Sequence, residues 1–150
     1  MAFVVHAEIE LDVPPERAFD AMANHEAWPR WMPKTFAPVG PSVGTLTVGA
    51  KVKARVDRMP FPSVIEVTKM ERPREITWCG GARGLMFAEH TFFFDAQGSG
   101  TRVRSAERWS GPVAAVLGPV LRWRASVGAR AQLAGLAQAV KSVPVPLESL

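Results

Sequence analysis

Hydrophobic and polar positions follow two periods along this chain. At its start Val5, Ala7, Ile9 and Leu11 alternate with His6, Glu8, Glu10 and Asp12, the period of two expected of a strand with one buried face. Pro14-Pro15 ends that strand. Pro15-Glu16 then suits the first turn of a helix, where a missing N–H is harmless and an acid meets the positive end of the dipole. Ala18, Phe19 and Met22 give this helix a short apolar face. Asn24 is placed to cap a second short helix through Trp28, broken at Pro29 and finished by Trp31-Met32-Pro33.

From Phe36 to Trp109 the pattern is one of strands. Val52, Ala54 and Val56 alternate with Lys51, Lys53, Arg55 and Asp57; Ile65 and Val67 follow; Ile76 and Trp78 come after the turn Arg72-Pro73-Arg74. No connection here is long enough for a helical crossover, so the sheet is antiparallel. Two last runs, Leu85 to Ala96 and Thr101 to Ser110, flank the turn-like Gln97-Gly98-Ser99-Gly100 and read as a hairpin. With those four residues as the loop, His90 faces Glu107, Asp95 faces Arg102 and Glu89 faces Arg108. The last two are opposite-charge cross-strand pairs, which a slip by one residue would lose.

The C-terminal stretch returns to helical spacing. Gly111-Pro112 opens a short piece with Val113, Val116 and Leu117, and Gly118-Pro119 opens a helix that runs to about Lys141. Leu121, Ala125, Gly128, Ala129, Gln132, Leu133, Leu136, Ala139 and Val140 share one of its faces, which must lie on the sheet. The first half of that face is small. Either a cavity opens beneath it, or the aromatic side chains of the strands fill the space. The domain spans residues 1–141, and 142–150 form an extended tail containing Val143-Pro144-Val145-Pro146.

Composition narrows the function. At 150 residues, 47% of them hydrophobic, the chain makes one domain with a real core. Its net charge of +4 raises acidic partners: nucleic acid, an anionic membrane surface or an acidic carrier protein. The basic residues are scattered, with one short cluster at Arg122 and Arg124, so a solvated surface is the better reading and no nucleic-acid partner is expected. Cys79 is the only cysteine, which rules out an intrachain disulfide and points to a reducing cytoplasm. Neither a leader nor a membrane-spanning run is recognised. Abundant Ala, Arg, Gly and Pro with little Lys suggest a bacterial source.

The candidate chemistry sits on the last hairpin. His90 and Glu107 share a face with Phe92, Phe94 and Trp109. A carboxylate there can orient the imidazole and favour its charged form, and one His can take an acidic α-proton and return a proton to a departing hydroxyl. Ser105 is placed to hold a ligand carbonyl. The same pair could instead bind a ligand without chemistry, or set the strand register. Val56, Trp78, Phe92 and Trp109 from the sheet, Leu121, Ala125 and Gln132 from the helix, and Trp31 complete the expected ligand wall. Trp28, Trp31 and Met32 form either its mouth or a staple for the short helices. No metal is expected: His90, Glu107 and Gln132 can converge, but His6 and His25 lie on an exposed strand face and a helix start. Strand alternation turns Cys79 away from Trp78 and the cavity, leaving an inert thiol. Trp123, off the core face beside Arg122 and Arg124, marks a contact for a second copy of the chain or a membrane surface.

The order of elements resembles the helix-grip fold of the START-like (SRPBCC) superfamily, an α+β fold in which a curved antiparallel sheet wraps around a long C-terminal helix, with two short helices after the first strand. Several segments resemble its polyketide cyclase/dehydrase group in particular. These are Val13-Pro14-Pro15-Glu16-Arg17-Ala18-Phe19-Asp20 with His25-Glu26-Ala27-Trp28-Pro29-Arg30-Trp31-Met32-Pro33, then Glu71-Arg72-Pro73-Arg74-Glu75-Ile76-Thr77-Trp78, and the hairpin segments His90-Thr91-Phe92, Gly98 to Val103 and Glu107 to Pro112. The resemblance implies a deep hydrophobic pocket between sheet and helix, used in the superfamily for lipids, sterols, polyketides and plant hormones, and carries over no catalytic motif. The resulting expectation is a binder or carrier of a hydrophobic or aromatic small molecule, needing no cofactor. The rival is a cyclase/dehydratase using His90 and Glu107 as acid and base. A third reading is a protein-interaction module without a ligand.

Overall fold

The computed structural model describes residues 2–57 and 59–142; Ser142, expected to open the 142–150 tail, ends the last helix instead, and the rest of that tail lies outside the described residues. Seven strands form one sheet: β1 (Phe3–Leu11), β2 (Phe36–Pro38), β3 (Lys51–Val56), β4 (Ser63–Glu71), β5 (Glu75–Ala82), β6 (Met86–Gln97) and β7 (Gly100–Ser110). Their spatial order is β1-β7-β6-β5-β4-β3-β2, and every neighbouring pair is antiparallel. The helices are α1 (Pro15–Ala23), a 3-10 turn (His25–Ala27), α2 (Trp28–Trp31), α3 (Pro112–Val116) and α4 (Gly118–Ser142). The sheet curls as a half-barrel around α4, which is the helix-grip architecture.

The hairpin register is the one the charges predicted, with His90 opposite Glu107, Asp95 opposite Arg102 and Glu89 opposite Arg108. Two local details differ. Gln97 and Gly100 pair, so the loop is only Gly98-Ser99, with Gly98 at φ 60°; Gly there supplies the left-handed conformation a two-residue turn demands. The ion pairs also differ. Asp95 binds Arg104, diagonal to it across the hairpin, because long side chains on a twisted sheet reach the neighbour one pair along, and Arg102 reaches its directly facing partner on β1, Glu10, at 3.5 Å. Glu89 lies 4.0 Å from the Cys79 thiol.

Asn24 makes no side-chain cap, and Pro29 falls in the first turn of α2 instead of breaking a helix. Pro is tolerated there because the first N–H groups of a helix have no internal partner. Trp28 is fully buried, donates from Nε1 to the Met22 carbonyl at 2.9 Å, and packs against Trp78 with 5.4 Å between ring centroids. Trp28 therefore staples the short helices to the sheet, and none of Trp28, Trp31 and Met32 lies on the cavity beneath the N-terminal half of α4.

Helix α4 has two different halves. Gln132, Leu133, Leu136 and Val140 are buried, and the last three join the main apolar cluster with Phe19, Met22, Trp78 and Phe92. A guanidinium nitrogen of Arg17 donates to the Val140 carbonyl at 3.0 Å, satisfying one of the acceptors orphaned at the helix end. A Cβ on Gly135 would stand 2.5 Å from the Trp31 carbonyl oxygen, so Gly is what lets α2 and α4 approach. The N-terminal half instead presents Leu121, Ala125, Gly128 and Ala129 to a void.

Candidate ligand-binding site

That void is a cavity of about 660 Å³, within the 300–1,000 Å³ range typical of small-molecule sites. The small side chains of α4 form one wall, and Val56, Ile65, Trp78 and Ala88 lie on the sheet side. The aromatic side chains do not fill the space. Trp78 is held against Trp28, Phe36 and Phe92, with ring centroids 5.4, 5.9 and 4.9 Å away, and closes the inner end.

His90, Glu107 and Trp109 line the same cavity. His90 Nδ1 lies 3.0 Å from Glu107 Oε2, His90 Nε2 lies 2.6 Å from Ser105 Oγ, and Trp109 Nε1 donates to Glu107 Oε1. With Nδ1–H donating to the carboxylate, Nε2 pairs with the Ser105 hydroxyl, as acceptor in a neutral ring and as donor in a charged one. The imidazole face stacks on Phe92 at 4.1 Å and its edge meets Trp78. Both ring nitrogens are thus engaged within the protein. Glu107, 14% exposed, keeps spare lone pairs on both oxygens and faces the cavity. The array runs Ser105, His90, Glu107 from core to cavity, the reverse of a serine nucleophile's order. Ser105, 1% exposed, sits at the buried end of the array, off the cavity lining.

Of the other residues expected on the wall, Val56, Trp78, Trp109, Leu121, Ala125 and Gln132 lie on the cavity, and Trp31, Phe92 and Ser105 do not. Phe92 lies behind His90, and Trp31 lies under Gly135. Buried Gln132 donates to Met32 Sδ at 3.2 Å. Sequence reasoning missed Thr35, which lies on the cavity wall beside Gly128 and whose buried hydroxyl has no partner. It also missed the mouth. There Asp57, at φ 49°, forms a two-pronged ion pair with Arg124 of α4, one prong being Nη2 to Oδ1 at 2.7 Å. Phe61, between Pro60 and Pro62, stands beside it, and an aromatic flanked by prolines was the available signal.

Cys79 lies off the cavity, near Thr68 and Glu89, and burial raises its thiol pKa. Among the described residues no group of three or more His, Cys, Asp or Glu is placed to hold a metal ion. None of the described helices is long and apolar enough to cross a membrane.

Residues 2–141 match the family described as "Polyketide cyclase / dehydrase and lipid transport". The chain belongs to this family. No curated protein matches its sequence closely enough to lend it a function. Solved structures of similar fold include a hypothetical protein of Helicobacter pylori, 17% identical, with a TM-score of 0.74 over 92% of this chain and 88% of that one. CalU16 of Micromonospora echinospora is 15% identical, with a TM-score of 0.64 over 93% and 76%. DynU16, described as from the dynemicin biosynthetic locus, is 13% identical, with a TM-score of 0.69 over 93% of this chain and 47% of that one. These likenesses concern the fold. The family carries a ligand-binding or polyketide-related role.

Proposed function

We propose that this protein binds or transfers a hydrophobic or aromatic small molecule carrying a hydrogen-bond donor such as a phenolic or enolic hydroxyl. The observation that carries the reading is an interior carboxylate, Glu107, held in place by Trp109 and His90 in a largely apolar chamber whose other lining carboxylate, Asp57, is paired with Arg124 at the mouth. The body of the ligand gains from leaving water, and its donor meets the spare lone pairs of Glu107. A panel of hydroxylated aromatics, polyketide-like compounds and lipids, followed by tryptophan fluorescence and native mass spectrometry, tests it. Saturable one-to-one binding of at least one class is expected. A folded sample that binds none overturns the reading.

A second reading, a cyclase/dehydratase, is favoured by the polar array behind that carboxylate. Glu107 would remove the α-proton of a polyketide-like substrate and return it to a departing hydroxyl, releasing water, while His90, anchored by Ser105, would position the carboxylate. Under this reading Glu107→Gln abolishes turnover and keeps ligand affinity within a few-fold, and His90→Ala lowers kcat more than it changes KM. Unchanged turnover in both variants removes it. The cavity itself weighs against an interaction module without a ligand.

A further inference from the structure

Beyond its interior, the cavity has an unusual rim. Phe61, Val64, Leu85, Leu117 and Val120 all line the opening, and all are exposed. Val116 (81% exposed) and Trp123 (63%) carry the apolar surface outward along α3 and α4. Seven of the twelve large apolar side chains exposed among the described residues therefore belong to this one end of the molecule. They come from three segments distant in sequence, the β3–β4 loop with the start of β4, the β5–β6 turn and the α3–α4 region. Their meeting is a property of the fold. Scattered single apolar residues need no explanation, but a contiguous patch does.

The charges of these segments are predominantly basic. Among the described residues they carry Arg83, Arg122 and Arg124 against Asp57 alone, and Asp57 is occupied by Arg124. Arg83 lies over the Phe87 ring, 4.1 Å from its centroid, and Arg122 is exposed. We propose that this rim docks on an anionic lipid bilayer, with the apolar side chains entering the headgroup boundary and the arginines meeting lipid phosphates. Apolar burial combined with basic residues is what interfacial binding requires. A folded protein partner fits less well. Protein interfaces concentrate their energy at a packed centre, and the centre of this patch is the open mouth, which fluid acyl chains can cover and a rigid surface cannot. The proposal does not depend on which molecule fills the cavity.

Flotation with vesicles of phosphatidylcholine, with and without phosphatidylglycerol, tests it. The wild type is expected to float with the anionic vesicles at least about ten-fold more tightly than with neutral ones, and less as salt rises. The double variant Val116→Asp/Trp123→Asp, which leaves the cavity wall intact, is expected to lose at least about ten-fold in binding while keeping its circular dichroism and thermal midpoint. Arg83→Glu/Arg122→Glu is expected to lose the preference for anionic vesicles, and Glu10→Gln, away from the rim, to change nothing. A folded wild type that floats with neither vesicle, or either double variant floating like the wild type, overturns the proposal. So does a dimer that Trp123→Asp converts to monomer without any vesicle binding, which would assign the rim to a second copy of the chain.

Discussion

Two glycines one heptad apart on α4 should respond in opposite directions to the same added methyl group. In a helix interior Gly→Ala gains about 1 kcal/mol from backbone entropy alone. At Gly128 the new Cβ would lie 3.6 Å from Thr35 Oγ1, an ordinary contact at the cavity wall. Nothing opposes the gain, so Gly128→Ala should stabilise the fold by about 1 kcal/mol, a rise of about 2–4 °C in Tm. At Gly135 the Cβ would lie 2.5 Å from the Trp31 carbonyl oxygen and 3.1 Å from its ring. That oxygen is backbone and can move only if α2 moves. Overpacking of this kind costs about 1–3 kcal/mol, and with no flexible atom to yield the upper end applies. After subtracting the helix gain, Gly135→Ala should be less stable by about 1–2 kcal/mol. Chemical and thermal denaturation of the two variants beside wild type measures both. Equal stabilisation by the two substitutions would refute the contrast between an open and a closed half of the helix.

Acid should destabilise the fold through His25. Burial lowers its pKa below 6.5, against the opposing effect of a hydrogen bond to the Val43 backbone, so the neutral ring is the native form. Between the folded pKa and 6.5 the unfolded chain binds more protons. This contribution is complete above about pH 6.5 and is lost as the pH falls through the folded value. His25→Gln should flatten that part of a stability-against-pH curve, and an unchanged slope would reject the assignment. Breaking the ion pair at the mouth with Asp57→Asn, which also tolerates the positive φ, should cost under about 1 kcal/mol, as partly exposed pairs do, yet speed ligand entry in stopped-flow fluorescence; an unchanged rate would show that the pair does not restrain the mouth. Cys79, its thiol pKa raised by burial, should react with iodoacetamide more slowly than a free thiol at pH 8.5 until denaturant is added.

The hairpin register was legible because charge and apolar alternation constrained it independently, and the helix face because one period held across α4. The diagonal pairing of Asp95 with Arg104 was not legible, since it depends on sheet twist and side-chain reach, and neither was Arg102's pairing with Glu10, because no local pattern says that β1 lies beside β7. Facing positions brought His90 and Glu107 together correctly. They could not reveal that Ser105 would bind the far nitrogen of His90 and turn away from the cavity, because strand alternation gives a face and not a depth. The mouth was the least legible part. Asp57 and Arg124 are far apart in sequence, in a loop and a helix that no local pattern relates.

The five tryptophans allow the central claim to be tested by their indole N–H resonances. Trp109 donates to Glu107 in the cavity, and Trp78 forms its inner end; Trp28 donates to a backbone carbonyl within the core, and Trp123 stands outside. Titration with 1-naphthol, an apolar aromatic carrying one donor, should shift the Trp109 and Trp78 signals saturably at one equivalent and leave Trp28 and Trp123 in place. Absence of any saturable shift, or a shift confined to Trp123, would contradict a ligand site built around Glu107.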